Sequence, residues 1–167
     1  GYIAYKQDDY ETADNYLGEV ANDKTFKTNV SYYLADMNFK LGKFEKAIEY
    51  GLPLLEKAKR TEHSEISKIV GESYFNLQKY KEAIQLLHKS LKIREKHFVD
   101  RHRWTCESNY NLANAYALDE QYDQAEIYYK EAIVIGERGM ELNNLAIAKT
   151  HLAKLYVDQN IMLDESE

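Results

Sequence analysis

Asn111-Leu112-Ala113-Asn114-Ala115-Tyr116, followed by Tyr122-Asp123-Gln124-Ala125 and then Tyr129 and Ala132, is the stretch that decides the fold. Two alanines twelve residues apart, each with aromatics three or four positions away, put a small notch on each of two successive helices. The arrangement recurs along the chain. An aromatic stands three residues before an alanine at Tyr10 and Ala13, Phe44 and Ala47, Tyr80 and Ala83, and Tyr122 and Ala125. These alanines are separated by 34, 36 and 42 residues, the period of a helical hairpin. A small residue also stands twelve before each: Gly1, Ala35, Gly71 and Ala113, with Ala153 continuing the series. Paired notches have a physical purpose, since antiparallel helices approach to about 8 Å only where the facing side chains are small.

The pattern resembles the tetratricopeptide repeat over nearly the whole chain. Leu34-Ala35, Leu41-Gly42, Phe44 and Ala47 match it, as do Val70-Gly71, Tyr74, Leu77, Tyr80 and Ala83, and the 111–132 stretch matches best. Departures are Gln78 and Glu120 where Gly42 stands, Gly51 where Tyr129 stands, and the missing proline at each repeat end. The resemblance implies an all-α fold, a right-handed α-solenoid of stacked antiparallel hairpins with about four repeats and incomplete ends. It would form one domain over 1–167, with repeats at 1–24, 25–60, 61–99 and 100–140 and a partial one at 141–163. The chain reads as beginning inside a repeat. Its early repeats resemble general bacterial ones. The later ones, with Lys92-Ile93-Arg94-Glu95-Lys96 and Ile135-Gly136-Glu137-Arg138-Gly139, resemble the long repeats of kinesin light chains. A change of period also fits two segments joined, by nature or by engineering, through the helix near 84–98.

Helical spacing and turn residues predict a short helix at 2–6 and arms at 9–22, 26–41, 44–58, 62–77, 80–98, 102–118, 122–138 and 142–158, then an acidic tail from Asp164. Asn22-Asp23, Gly42, Thr61 with Ser64, and Gly139 read as turns. Pro53 falls inside an arm, where it removes a helix hydrogen bond, so a kink near Tyr50–Pro53 is expected. Gly51 would let the neighbouring helix approach there.

Composition narrows the function. A net charge of −6, from 22 basic and 28 acidic residues, argues against a nucleic-acid binder, which usually carries a basic face. No apolar run approaches the ~20 residues of a membrane span. The single cysteine, Cys106, excludes an internal disulfide and leaves reducing cytoplasm and periplasm both open. Its spacing from His102 puts both on one helix face, but with His97 the set lacks a fourth ligand, so neither metal nor cofactor is expected. Lys89, Lys92, Arg94, Lys96, Arg101 and Arg103 read as a solvated helix end. No phosphate loop, activated nucleophile or His-Glu-x-x-His run points to an enzyme. Fifteen tyrosines suit packing between repeats, one side apolar and the hydroxyl near water.

Function would therefore come from shape. The resemblance implies a concave wall lined by the first helix of each hairpin, holding a peptide or helical segment of another protein. Its candidate lining residues are Tyr32, Asp36, Phe39, Lys68, Glu72, Phe75, Tyr110, Asn114 and Lys154, with Leu118, Ile147, Thr150, Val157 and Asp158 at equivalent positions. Asp36 stands where chaperone-tail members carry an asparagine, and a carboxylate there repels a carboxylate ligand. Asn114 matches the asparagines with which long-repeat members hold a peptide backbone, an amide being both donor and acceptor. The alternative is a purely structural or engineered module with no natural ligand. Uncapped terminal helices add an expectation of end-to-end self-association.

Overall fold

The computed structural model describes the backbone of all residues except 1, 8, 21–26, 57–59, 98–101, 140–141 and 165–167. Among the described residues the secondary structure is entirely helical: α1 (Tyr2–Lys6), α2 (Tyr10–Val20), α3 (Lys27–Lys40), α4 (Phe44–Leu55), α5 (Arg60–Asn76), α6 (Tyr80–His97), α7 (His102–Leu118), α8 (Tyr122–Gly139) and α9 (Leu142–Asp164). The expected arms are recovered to within a few residues, except that α9 continues to Asp164, since no glycine or proline interrupts 159–164. Ser64 lies inside α5 and is buried, rather than marking a turn. The Asn22-Asp23 turn and the tail after Asp164 lie outside the described residues.

The chain forms two compact units, Gly1–Ser90 and Leu91–Glu167, with the boundary inside α6. In the first unit, Ala13, Leu17, Val30, Leu34 and Met37 form one core, and Leu54, Ile66 and Val70 form another. In the second, Cys106, Ala132 and Ala148 make the core, flanked by Tyr110, Ile133 and Ile135. The notches behave as their spacing requires: Ala13, Ala35, Ala47, Ala83, Ala113 and Ala125 have no exposed surface. At Gly51 the approach is so close that an added Cβ would stand 2.4 Å from Val70 Cγ2 on α5. That glycine is where the register elsewhere carries Tyr129, so α4 and α5 cross more tightly than their counterparts can. Pro53 sits exposed in the last turn of α4, with only Leu54 and Leu55 following it in the helix. Ala153 departs from the series and is exposed, because no helix among the described residues packs on that side of α9.

Three helices end in one way. Lys43 N–H donates to Asn38 O, Lys79 to Tyr74 O and Gln121 to Tyr116 O, each at 2.8–2.9 Å, while the residue before each donor turns left-handed. This closes the hairpin with a Schellman motif. Gly42 takes φ 71° without strain, but Gln78 and Glu120 adopt φ 60° with a Cβ that clashes there. The later helices are also longer, α7 and α8 having 17 and 18 residues where α3 and α4 have 14 and 12.

The extra turn of α6 houses Arg94, which corrects the reading of the basic run as a solvated end. Arg94 is 2% exposed; its Nη1 donates to Ser108 Oγ at 2.7 Å and Trp104 O at 3.1 Å, and stands 3.7 Å from Glu107 Oε2. Lys89, Lys92, Lys96 and Arg103 are exposed as expected, and Arg101 lies outside the described residues.

Two stability measurements test this packing. Ala83→Leu overfills a fully buried notch and should cost about 1–3 kcal/mol in urea unfolding; a midpoint equal to the parent's would show that the notch has room. Gln78→Gly and Glu120→Gly should each stabilise by about 0.5–1 kcal/mol, the relief of a left-handed Cβ less the entropy of glycine, and a loss of stability would contradict the cap assignment.

Candidate functional site

Tyr32, Asp36 and Phe39 lie on α3, and Lys68, Glu72 and Phe75 on α5, all in the first unit. Tyr32 packs against the core around Leu54, Ile66 and Val70 and meets Tyr33 edge-on at 5.5 Å. Asp36 is bound from two directions: Tyr5 Oη donates to Oδ2 at 2.5 Å and Lys40 Nζ reaches the same oxygen at 2.9 Å. Lys40 also lies 5.1 Å from the ring centre of Tyr5 and 5.0 Å from that of Tyr10. Burial, and then the Asp36 hydrogen bond, push the Tyr5 hydroxyl well above the ordinary phenol value. Lys68 and Glu72 form an i,i+4 pair at 4.0 Å. Phe39 and Phe75 each contact the first aromatic of the following helix, Phe44 at 6.0 Å and Tyr80 at 5.8 Å. The candidate charges of this unit are thus neutralised within it.

The second unit is organised differently. Tyr110 and Asn114 on α7 meet Tyr129 on α8 and His151 on α9 in one polar cluster. Asn114 Oδ1 accepts from Tyr129 Oη at 2.5 Å and lies 3.1 Å from His151 Nδ1, while Tyr110 Oη lies 3.5 Å from His151 Nε2. One tautomer satisfies both imidazole contacts: Nδ1–H donates to the amide carbonyl and Nε2 accepts from the tyrosine. The ring of Tyr110 stands edge-on to the imidazole at 5.4 Å. Burial raises the Tyr129 hydroxyl far above its usual value, with Tyr110 adding to it. Burial, with a smaller contribution from the Lys154 charge, lowers the pKa of His151 below the ordinary 6.5. Lys154 itself is exposed, one turn beyond His151.

This cluster changes what Asn114 can do. A backbone-gripping asparagine needs donor and acceptor, yet its carbonyl is engaged by Tyr129 and His151, and these contacts leave only the Nδ2 donors unused. Sequence reading found Tyr110 and Asn114 but not His151, although His151 stands four after Ile147 and three before Lys154, on the same face. On the same helices Leu118 is 53% exposed, Ile147 43% and Val157 56%. Cys106 is buried, its Sγ donating to Ala132 O at 3.2 Å, and the side chains of His97 and His102 lie outside the described residues. Among the described residues no three His, Cys, Asp or Glu side chains group as metal ligands, and no helix is long and apolar enough to cross a membrane.

A lowered folded-state pKa means that the unfolded chain binds more protons below pH ~6.5, so stability rises with pH through that window and is full above it. Tyr110, Tyr129 and Lys154 face the imidazole, and none offers it a negative charge. His151→Gln keeps a donor for Asn114 and does not titrate. The variant should therefore lose part of the pH dependence of the urea midpoint between about pH 5 and 7 while matching the parent near pH 8. Parallel curves for the two proteins would place the titration elsewhere.

A family model for the tetratricopeptide repeat matches residues 64–137, and one described as anaphase-promoting complex, cyclosome, subunit 3 matches residues 6–90. No curated protein matches the sequence. Among solved structures, aspartyl phosphate phosphatase F from Bacillus subtilis aligns with a TM-score of 0.75 at 14% identity, over 98% of this chain and 45% of its own. The nearly identical TPR-like repeats of a kinesin light chain from Podosopora anserina align at 0.73 with 16% identity, over 95% and 81%. MamA MSR-1 aligns at 0.64 with 20% identity, over 99% and 93%. The chain thus spans less than half the length of the phosphatase, and at these identities the likeness is one of fold. With its notch register, its hairpins and two family models that together run from residue 6 to 137, the chain belongs to the tetratricopeptide repeat family.

Proposed function

We propose that the chain is a non-catalytic protein–protein interaction scaffold, and that the first-helix faces carrying Tyr32, Asp36, Phe39, Lys68, Glu72, Phe75, Tyr110, Asn114 and Lys154 receive a peptide or helical segment of a partner. One observation carries the reading. Leu118 on α7 and Ile147 and Val157 on α9 are exposed, on the same helices that carry Asn114 and Lys154. Apolar side chains exposed on helices that also carry hydrogen-bonding groups are what a docking surface needs, because burial supplies affinity and the polar groups supply register. The tetratricopeptide architecture supports the same reading, since its repeats build interaction surfaces from helix faces. Homotypic docking is the variant favoured by exposed Ile147, Tyr156 and Val157 on α9, and light scattering over a concentration series separates it from capture of a different protein.

Two exposed residues on different helices provide the test. Leu118 lies on α7 and Ile127, 51% exposed, lies on the second helix α8. Partners retained from a lysate of the source organism are quantified for the parent, Leu118→Ser and Ile127→Ser. Losing a buried leucine contact is worth about 1.5–3 kcal/mol, so Leu118→Ser should reduce retention at least tenfold and Ile127→Ser should leave it unchanged. Equal retention by all three proteins would support a structural module in place of a binding face.

A further inference from the structure

We propose that the solvent-exposed face of α6 is a second docking surface, separate from the first-helix faces, and that its occupant is an acidic helix of a partner protein. Burial defines the face. Ala83, Leu87, Ser90, Leu91 and Arg94 are buried on one side of α6, whereas Lys81, Gln85, Lys89, Lys92 and Lys96 are exposed on the other. At about 100° per residue, those exposed side chains fall within about 40° of a single line along the helix. From Lys81 to Lys96 the line is about 22 Å long.

These lysines lack ion-pair partners in a chain that holds 28 acidic residues against 22 basic ones. Lys40, Lys43, Lys68, Lys130 and Lys149 each reach a carboxylate; among the described residues Lys81, Lys89, Lys92 and Lys96 do not. Glu95, three residues after Lys92, lies within electrostatic reach of Tyr128 on α8, whose hydroxyl is raised by burial first, then by Tyr116 and by Glu95. Lys89, Lys92 and Lys96 stand three and four residues apart, a spacing at which like charges repel on a helix. A row of carboxylates laid along them removes that repulsion and displaces no existing partner, which favours charge complementarity.

Geometry selects the occupant. Carboxylates four residues apart on a partner helix repeat about every 6 Å, the same step that separates Lys81, Gln85 and Lys89. The line is one side chain wide, and exposed Glu82 and Glu95 flank it on opposite sides, at about 60° and 80° round the helix. A nucleic-acid duplex or an anionic bilayer presents a broader front and would bring phosphates against those two carboxylates, which repel them. A single helix seated on the line keeps its acids between them. Gln85, in the middle, offers an amide that donates to a glutamate without adding charge.

The probe is a capped, alanine-rich peptide of about 18 residues, long enough to cover the lysine line as a helix, with glutamates spaced to face the lysines. It is titrated into ¹⁵N-labelled protein at about 0.01 M salt, where electrostatic attraction reaches about 30 Å. The backbone amides of Gln85, Lys89 and Lys92 should shift. Replacing every glutamate by glutamine should weaken binding at least about tenfold, and raising the salt to about 1 M should abolish it. Lys92→Glu and Lys46→Glu change the net charge equally at exposed positions on α6 and α4. The first should weaken the glutamate peptide at least about fivefold and the second should leave it unchanged. No shift on α6 with about 2 mM glutamate peptide, a concentration that reaches millimolar sites, overturns the proposal. Equal binding of the glutamine peptide overturns it too, and equal weakening by Lys46→Glu would show attraction to diffuse charge in place of this line. A short DNA duplex, or vesicles of phosphatidylserine and phosphatidylcholine, moving the same amides at lower concentration would assign the face to phosphate groups and overturn the choice of an acidic helix.

Discussion

The closest helix crossings in both units depend on alanine and glycine standing where a larger side chain would hold the backbones apart. Burial of a methyl group contributes little by itself; what it permits is the contact of everything around it. Gly71 illustrates this, since a Cβ added there would lie 3.1 Å from Leu87 Cγ and 3.3 Å from Leu86 Cβ on α6. Gly136 is similar, 3.3 Å from Leu145 Cβ and 3.4 Å from Cys106 Sγ, so three helices of the second unit converge on one missing side chain. Close packing of this kind is intolerant of added volume. It also requires polar groups to be satisfied locally, and Ser90 Oγ does so by donating to Ser64 O at 2.9 Å between α6 and α5.

That constraint explains why the fold was legible in the sequence. A notch of fixed spacing is a one-dimensional signal, and Ala13, Ala47, Ala83 and Ala125 announce the hairpins without reference to anything distant. Turn identity was less directly written. Gln78 and Glu120 do not advertise a left-handed residue as Gly42 does, and only their place in the register gives them away. The end of α9 was not legible: spacing and turn residues point to a stop at 158, but no glycine or proline there enforces one and the helix runs to Asp164.

The candidate site was legible in a different degree. The resemblance to the tetratricopeptide repeat pointed to Tyr110, Asn114 and Lys154 as candidate positions, and helical spacing alone placed Tyr110 and Asn114 on one side of α7. It could not say that the Asn114 carbonyl is occupied, since its partners are 15 and 37 residues away and lie on two other helices. Arg94 was hidden for a related reason. In a run of lysines and arginines, the buried member is distinguished only by Ser108 and the Trp104 carbonyl across the turn. Desolvated polar groups are specified by three-dimensional partners, whereas apolar notches are specified by period.

The burial of Cys106 has a practical side. The thiol is the sole one in the chain, has no exposed surface, and is held against the Ala132 carbonyl where α7, α8 and α9 meet. Reagents that need a solvent-exposed thiolate are excluded while that junction is closed. The rate at which such a reagent modifies the native protein therefore counts openings of the second unit alone, giving the molecule an intrinsic clock for local unfolding that requires no introduced label.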